Sequence, residues 1–169
     1  MREYIDDAIV LNKRELGAQD ARYSLFTKRF GKMVAKGKSV RKLTSKLAGH
    51  LEPGSLVRVR LIEQHGLQVV DALREAVIIN PDNLGVALKN FALLSQLLAE
   101  NEPEPLIWAM VCCGVINWNS ILKTLGWDPF ESVCSSCDAR SVASFLVSRQ
   151  DFFCERCAAR IPSSEMVVL

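Results

Sequence analysis

The chain has 169 residues, of which 49% are hydrophobic and 24% charged, a balance typical of globular proteins rather than disordered or fibrous ones. Its net charge of +2 is unevenly distributed, because residues 1–75 carry 15 Lys and Arg against 9 Asp and Glu, and the remainder carries 6 against 10. The first ten residues place acids where an export signal needs basic residues. The longest apolar stretch, 106–116, is about half the ~20 residues of a bilayer span. These features predict a cytoplasmic protein without a membrane span, whose first half meets a polyanion.

Residues 1–78 have the pattern of short β-strands separated by turns. The clearest alternation is in residues 56–62, where Val57 and Val59 face one side of a strand and Arg58 and Arg60 face the other. Strand-like segments occur at residues 3–11, 22–30, 32–36, 56–62 and from 67 onward. Five short strands in a segment of this length predict a small closed barrel, which we assign to a domain of residues 1–78.

Residues 79–169 form the second predicted domain, and its first part has a helical period. An apolar stripe from Leu84 to Leu98 predicts a helix, with Asp82 or Asn83 as its N-terminal cap. After a Pro-rich break, a second helix is expected from about Leu106 to Leu125, followed by Gly126. The predicted fold class is therefore α+β, with a five-stranded barrel followed by a helical middle.

The most specific motif is a pair of Cys-x-x-Cys turns, Cys134/Cys137 and Cys154/Cys157, separated by 16 residues. Two such turns can present four thiolates to one tetrahedral ion, and the intervening segment fits a β-hairpin. The motif predicts one structural Zn²⁺ in a C-terminal element at about residues 130–160 that depends on the metal to fold. An iron–sulfur cluster, or four unrelated cysteines, are the alternatives. The adjacent Cys112 and Cys113 are interpreted as helix packing.

The second motif is a dense basic stretch without acids in the first half of the chain. Its members, with two cations of a later strand, are Lys28, Arg29, Lys32, Lys36, Lys38, Arg41, Lys42, Lys46, Arg58 and Arg60. Tyr23, Phe26 and Phe30 lie close by in the sequence, and core packing is the alternative role for these rings, above all for Phe26. A five-stranded barrel with cations and aromatic rings on one face is how OB-folds hold single strands, so the stretch predicts nucleic-acid binding. A solvated loop surface is the alternative interpretation.

Catalytic motifs are scarce in this sequence. His50-Leu51-Glu52 matches the H-x-E part of zinc nucleobase deaminases, but no proline precedes Cys134 and the second cysteine pair already completes the coordination. The sequence contains neither a phosphate-binding loop nor a nucleophile elbow. Four thiolates also leave no open position for the metal-bound water of a hydrolase. We therefore predict that the protein is not an enzyme.

The order of these parts resembles the RecO recombination mediator family, which has an N-terminal OB-fold, a helical middle and a four-cysteine zinc element. The resemblance is carried by residues 9–11, 30–39, 47–54, 57–59 and 126–129. It implies an N-terminal OB-fold barrel and a C-terminal four-cysteine zinc hairpin. By position, it also implies that the basic residues from Lys28 to Lys46 contact DNA and that the four cysteines bind zinc.

The resemblance further implies a DNA repair protein that binds single- and double-stranded DNA and anneals complementary strands. Members of the family act on DNA coated by the single-strand-binding protein and, with RecR, help to load the RecA recombinase. Such a protein would be cytoplasmic and associated with the nucleoid. The alternative class is a zinc-ribbon and OB-fold protein that binds RNA or serves as a scaffold in translation or transcription. A preference for single-stranded DNA or for structured RNA would separate the two classes.

Overall fold

The computed structural model describes residues 1–40, 45, 47–162 and 165–169. The chain divides into two compact units, Met1–Gly114 and Val115–Leu169, which we call the N-terminal unit and the C-terminal unit. The domain boundary expected from the sequence lies after residue 78, whereas in the structure the N-terminal unit also includes the two helices that follow the strands.

Five strands build the N-terminal unit, as the sequence predicted. They are β1 (Arg2–Leu16), β2 (Asp20–Thr27), β3 (Gly31–Gly37), β4 (Ser55–Glu63) and β5 (Leu67–Val77). The strands pair in the order β1-β2-β3-β5-β4 and β4 returns to β1, which closes the barrel. All pairs are antiparallel except β3 with β5, which pair in parallel only at Lys36 and Gly37. A small five-stranded barrel of this kind is an OB-fold.

The barrel closes around alternate apolar side chains. On β4, Val57, Val59 and Leu61 are buried, whereas Arg58 and Arg60 are exposed, as the alternation predicted. On β3 the same period buries alternate residues and leaves every second side chain, including Lys32 and Lys36, half-buried. The two-residue period therefore both fills the core and assigns the basic side chains to the outer surface.

Tyr23 is a fully buried aromatic residue of the barrel core. Within the described part of the chain, its hydroxyl group has no hydrogen-bond partner. Burial raises the pKa of Tyr23 from 10.0 to about 12, and the negative charge of Glu52 contributes in the same direction. Ionisation of this phenol is therefore coupled to unfolding.

We expect stability to fall with rising pH because of Tyr23. The folded chain keeps the phenolic proton between pH 10.0 and about 12, whereas the unfolded chain loses it. In that interval the unfolding free energy decreases by about 1.4 kcal/mol per pH unit from this group. Urea unfolding at several alkaline pH values should show a shallower decline for Tyr23→Phe, which cannot ionise. Parallel declines in the two proteins would contradict the assignment.

Two helices complete the N-terminal unit: α1 (Leu84–Leu97) and α2 (Pro105–Cys112). Asp82 and Asn83, the residues predicted to cap α1, form part of a 3-10 turn before it, where the Asn80 side chain accepts a hydrogen bond from the Asp82 N–H group. Asn83 is the N-cap residue of α1, as predicted, but its side chain makes no capping hydrogen bond. None of the described helices combines the length and the apolar character needed to cross a membrane.

The single helix expected from Leu106 to Leu125 is two helices in the structure. α2 ends at Cys112, and Gly114 has a φ of +71°, which terminates a helix because glycine has no Cβ to clash in this conformation. The next helix, α3 (Trp118–Thr124), begins where the Asn117 side chain accepts a hydrogen bond from the Ser120 N–H group at 2.9 Å. Strong local caps thus overrode the continuous apolar pattern, and the two compact units divide here.

The C-terminal unit contains α3, β6 (Ser144–Leu146), β7 (Asp151–Phe153), α4 (Glu155–Ala158) and β8 (Met166–Val168). β6 and β7 form the predicted hairpin, and β8 adds a third strand in the order β7-β6-β8. The sequence analysis did not predict β8. The Phe145 ring contacts those of Trp127 and Phe152, with centroids 5.5 and 4.8 Å away, and this small aromatic core supports one side of the sheet.

Candidate metal centre and nucleic-acid interface

Two tight turns position the four cysteines of the C-terminal unit. In the first turn, the N–H groups of Cys137 and Asp138 donate to the Cys134 carbonyl oxygen at 3.3 and 2.9 Å. In the second turn, the N–H groups of Cys157 and Ala158 donate to the Cys154 carbonyl oxygen at 3.1 and 2.9 Å. The same backbone geometry at both Cys-x-x-Cys motifs directs their sulfur atoms toward one point.

The sulfur atoms have the spacing of a tetrahedral metal site. All four Sγ atoms lie within 4.8 Å of one another, and Cys137 Sγ is 3.7 Å from the Sγ atoms of both Cys154 and Cys157. A Zn–S bond of about 2.3 Å gives an S–S separation of roughly 3.8 Å in a regular tetrahedron. The donor set therefore fits a metal ion, and the sequence prediction that these four residues come together is confirmed. Four thiolates would fill the coordination shell of such an ion, which is the donor set found in structural metal sites.

Electrostatics within the cluster favour cation binding. Hydrogen bonding from the Cys154 N–H group lowers the pKa of the Cys134 thiol to about 6. Hydrogen bonds with the thiols of Cys154 and Cys137 raise the pKa of the Cys157 thiol to about 12. At this distance the four sulfurs repel one another when they are all deprotonated, so some thiols keep their protons in the absence of a metal ion. A metal ion that binds here displaces those protons.

The predicted basic residues are distributed over several parts of the N-terminal unit. Three of them, Arg41, Lys42 and Lys46, lie outside the described residues. Arg29 pairs with the buried Asp6 at 3.0 Å, and its guanidinium lies 5.2 Å from the centroid of the Phe30 ring. Arg29 therefore has a structural partner within the barrel.

Two cations of β3 and one of the following turn face the outer surface. Lys32 donates from Nζ to the Ser95 carbonyl oxygen at 3.0 Å, and Lys36 pairs with Asp20 at 2.7 Å. Lys38 is exposed, as is Lys28 at the other end of β3. These four lysines lie on β3 or in the turns at its two ends, next to β2 in the barrel.

Arg58 and Arg60 lie on β4, between β5 and β1, where acids surround them. Arg58 lies 2.9 Å from Asp7 and 3.9 Å from Glu75, and Arg60 pairs with Glu3. These carboxylates offset the two positive charges, so the outer surface of β4 offers little net attraction to a polyanion. The structure does not bring Arg58 and Arg60 together with the cations of β3.

Two arginines that the sequence pattern did not single out lie beside Lys36 in the barrel. On the antiparallel strands, Arg14 of β1 is directly opposite Arg22 of β2, and Arg22 is directly opposite Lys36 of β3. We call Arg14, Arg22 and Lys36 the basic row. Like charges in directly opposite positions repel; Asp20, 2.7 Å from Lys36, offsets one of the three charges, and a bound anion would offset more of them. The alternation of β2 was the available signal for Arg22, which lies exposed between two buried residues, whereas β1 shows no alternation at Arg14.

Two surface cavities flank the basic row. One of about 240 Å³ is lined by Arg14, Arg22 and Lys32 together with polar groups that include Ser24. The other, of about 440 Å³, is lined by Arg22 and Lys36 and reaches His65 in the turn before β5. Glu100 is the acid that lines both cavities. The arrangement is a shallow cationic groove across three strands.

The aromatic residues near the basic stretch are not available to stack on bases. Tyr23 and Phe26 are fully buried, the latter with its ring centroid 5.5 Å from that of Trp108. Phe30 is half-buried and packs edge-on against Tyr4 at 5.1 Å. The suggestion that these rings serve the nucleic-acid surface was therefore wrong for Tyr23, whereas the interpretation of Phe26 as a core residue is confirmed, because both strand positions direct the rings into packed interiors.

A closed OB-fold barrel followed by a four-cysteine cluster that fits a metal ion defines the class: an OB-fold protein with a candidate metal centre. Residues 1–81 match the family model described as "Recombination protein O N terminal". The chain is similar to the DNA repair protein RecO of Myxococcus xanthus, with 31% identity over 117 residues, 66% of this chain and 48% of that protein. Together these matches support the assignment of the chain to the RecO family.

Two further relatives support the same assignment. The DNA repair protein RecO of Nocardioides sp. is 35% identical over 85 residues, covering 50% of this chain and 34% of that protein. The protein of the same name from Thermobifida fusca is 39% identical over 70 residues, covering 41% of this chain and 29% of that protein. The matched segments thus span about half or less of these curated relatives.

Proposed function

We propose that this chain acts in DNA repair and recombination by binding single- and double-stranded DNA along the basic row. The carrying observation is the alignment of Arg14, Arg22 and Lys36 on three neighbouring strands. A phosphate backbone would relieve the repulsion among these cations, so binding and the local charge balance improve together. The names of the matched relatives, DNA repair protein RecO, support this choice of ligand.

The proposed activity is annealing of complementary strands without bond chemistry. Two polyanions repel each other, and a cationic groove lowers that barrier by neutralising phosphates. In the C-terminal unit, Zn²⁺ held by the four cysteines would serve as a structural ion that stabilises the small sheet. The chain thus accelerates strand pairing without enzymatic chemistry and is associated with the nucleoid.

We extend the proposal to the partners expected for the family. In this proposal the chain acts with RecR and helps to load RecA on DNA that is coated with the single-strand-binding protein. The barrel supplies the DNA contact in this scheme, and the exposed acids around Arg58 and Arg60 leave the outer surface of β4 for protein contacts.

Annealing of two labelled complementary oligonucleotides tests the proposal. The rate is measured on bare strands and on strands coated with the single-strand-binding protein of the same organism. Acceleration on both, reduced by Arg22→Ala and unchanged by Arg74→Ala at another exposed position, is the expected result. Acceleration on bare strands alone would remove the coated-DNA role. Absence of annealing, together with tight binding of structured RNA, would favour the RNA-binding class.

A further inference from the structure

Phe130 is unusual among the aromatic residues of the C-terminal unit because its side chain is 81% exposed. The other phenylalanines of this unit, Phe145, Phe152 and Phe153, are each at most 6% exposed. Exposure of a whole phenyl ring forgoes the stabilisation that burial gives an aromatic side chain. The ring is therefore available to a ligand.

A hydrogen-bonded turn holds Phe130 in this position. Asp128 accepts a hydrogen bond from the Phe130 N–H group at 3.0 Å, and its backbone oxygen accepts one from the Ser132 hydroxyl at 2.7 Å. Lys123 pairs with the Asp128 carboxylate at 2.9 Å. Because the turn is tied to α3 through this ion pair, the ring is presented by a defined backbone rather than a loose loop.

Two cavities meet at Phe130 and Arg140. The first, of about 350 Å³, is lined by both residues together with polar groups of Asn119 and Ser141. The second, of about 300 Å³, is lined by the same two residues and by Glu131. Within the described part of the chain, Arg140 forms no ion pair. The guanidinium of Arg140 is therefore the charged side chain that lines the first cavity, and the second cavity also has the Glu131 carboxylate in its lining.

We propose that Phe130 and Arg140 form a second binding site for an unpaired nucleotide of single-stranded nucleic acid. The base stacks on the Phe130 ring, and the neighbouring phosphate binds Arg140 in the first cavity, away from Glu131. Stacking on an aromatic side chain suits any base and requires a strand whose bases are exposed. Double-stranded DNA, with its bases already stacked, does not fit this site.

The inference rests on the proposed function and extends it. All residues of this site belong to the C-terminal unit, whereas the basic row belongs to the N-terminal unit. One chain would then hold nucleotides at two separate places, one chosen by charge and one by stacking. A protein that pairs strands needs to hold more than one strand segment, and two sites supply this.

Photocrosslinking with an oligonucleotide that carries 5-iodouracil tests the site in the full chain. The expected crosslink lies in the peptide that contains Phe130, and it persists in the variant Arg14→Ala/Arg22→Ala/Lys36→Ala. Phe130→Ala is expected to lower single-strand affinity about tenfold, and Phe130→Trp to restore it. Arg140→Ala should weaken binding in the same direction. Val168→Ala and Arg149→Ala, exposed residues of the same unit outside both cavities, are the controls.

The outcomes separate this inference from the proposed function. Crosslinks confined to residues 1–114, with Phe130→Ala indistinguishable from Val168→Ala, would overturn the second site and leave the basic row intact. Equal losses for single- and double-stranded DNA in Phe130→Ala would also overturn it, since stacking requires unpaired bases. If the unaltered chain binds no oligonucleotide at all, the proposed function itself fails and the second site fails with it.

Discussion

Cys137→Ser is expected to release the metal ion and unfold the C-terminal unit. The Cys137 sulfur lies 3.7 Å from two of the other three sulfurs, so its loss removes one corner of the site. Structural zinc contributes about 10–16 kcal/mol to the folding of small metal-dependent elements. The core around the cluster consists of a few side chains such as Leu146 and Phe153, which is too little to replace that contribution.

Metal content and hydrogen exchange together measure this effect. The unaltered chain should carry one equivalent of zinc per chain, and Cys137→Ser much less. Peptides from residues 115–169 should then lose protection from exchange, while peptides from the barrel keep theirs. Cys113→Ser, an exposed cysteine outside the cluster, is the matched control. One full equivalent of metal in the Cys137 variant would refute the four-cysteine site, and iron with acid-labile sulfide would replace the zinc assignment by a cluster.

Removal of the basic row is expected to have the second largest effect, on DNA affinity. At about 1 kcal/mol for each cation–phosphate contact, Arg14→Ala/Arg22→Ala/Lys36→Ala should weaken single-strand binding roughly 100-fold. The variant should fold normally, because the loss of the partly exposed Lys36–Asp20 ion pair costs little and the substitutions relieve repulsion between cross-strand cations. A control with three other exposed arginines replaced, Arg74, Arg149 and Arg160, removes the same charge elsewhere. Equal weakening by both variants would show that only total charge matters.

Salt dependence gives the same prediction an independent measure. If the basic row and Lys32 contact four phosphates of a single strand, log K should fall with log salt at a slope of about −3, and removal of the row should reduce it to about −1. Arg58→Ala should change the slope little, since Asp7 and Glu75 already offset its charge. A large change for Arg58 would instead place the DNA on β4.

The strands and the metal ligands were predictable because each depends on a local pattern. The two-residue alternation of β4 follows from the pleat of a strand, and the Cys-x-x-Cys spacing follows from the turn that directs two thiols to one ion. Each pattern spans a few residues and reports its own geometry. Strand β8, the third strand of the small C-terminal sheet, had no such pattern, because three residues are too few to show a period.

The binding surface was less predictable, because cations that are close together along the chain need not lie close together in the folded structure. Lys28 and Lys38 lie at opposite ends of β3, whereas Arg14 and Lys36 lie on the same outer surface although 22 residues separate them in the chain. Strand register alone brings the latter two together, through Arg22. A basic stretch therefore predicted the kind of ligand better than it predicted the residues that contact it.

The amino-acid sequence by itself determined the small barrel, the helical character of the middle and the four-cysteine site, since alternation, period and ligand spacing act over short distances. The tertiary structure decided which cations share a surface, which are offset by acids such as Asp6 and Glu3, and that Phe130 stays outside its aromatic core. It also decided where the long apolar segment divides, at Gly114 and Asn117. The physical reason is that pairing between distant strands and competition among buried side chains are properties of the folded chain, which no local stretch of residues carries.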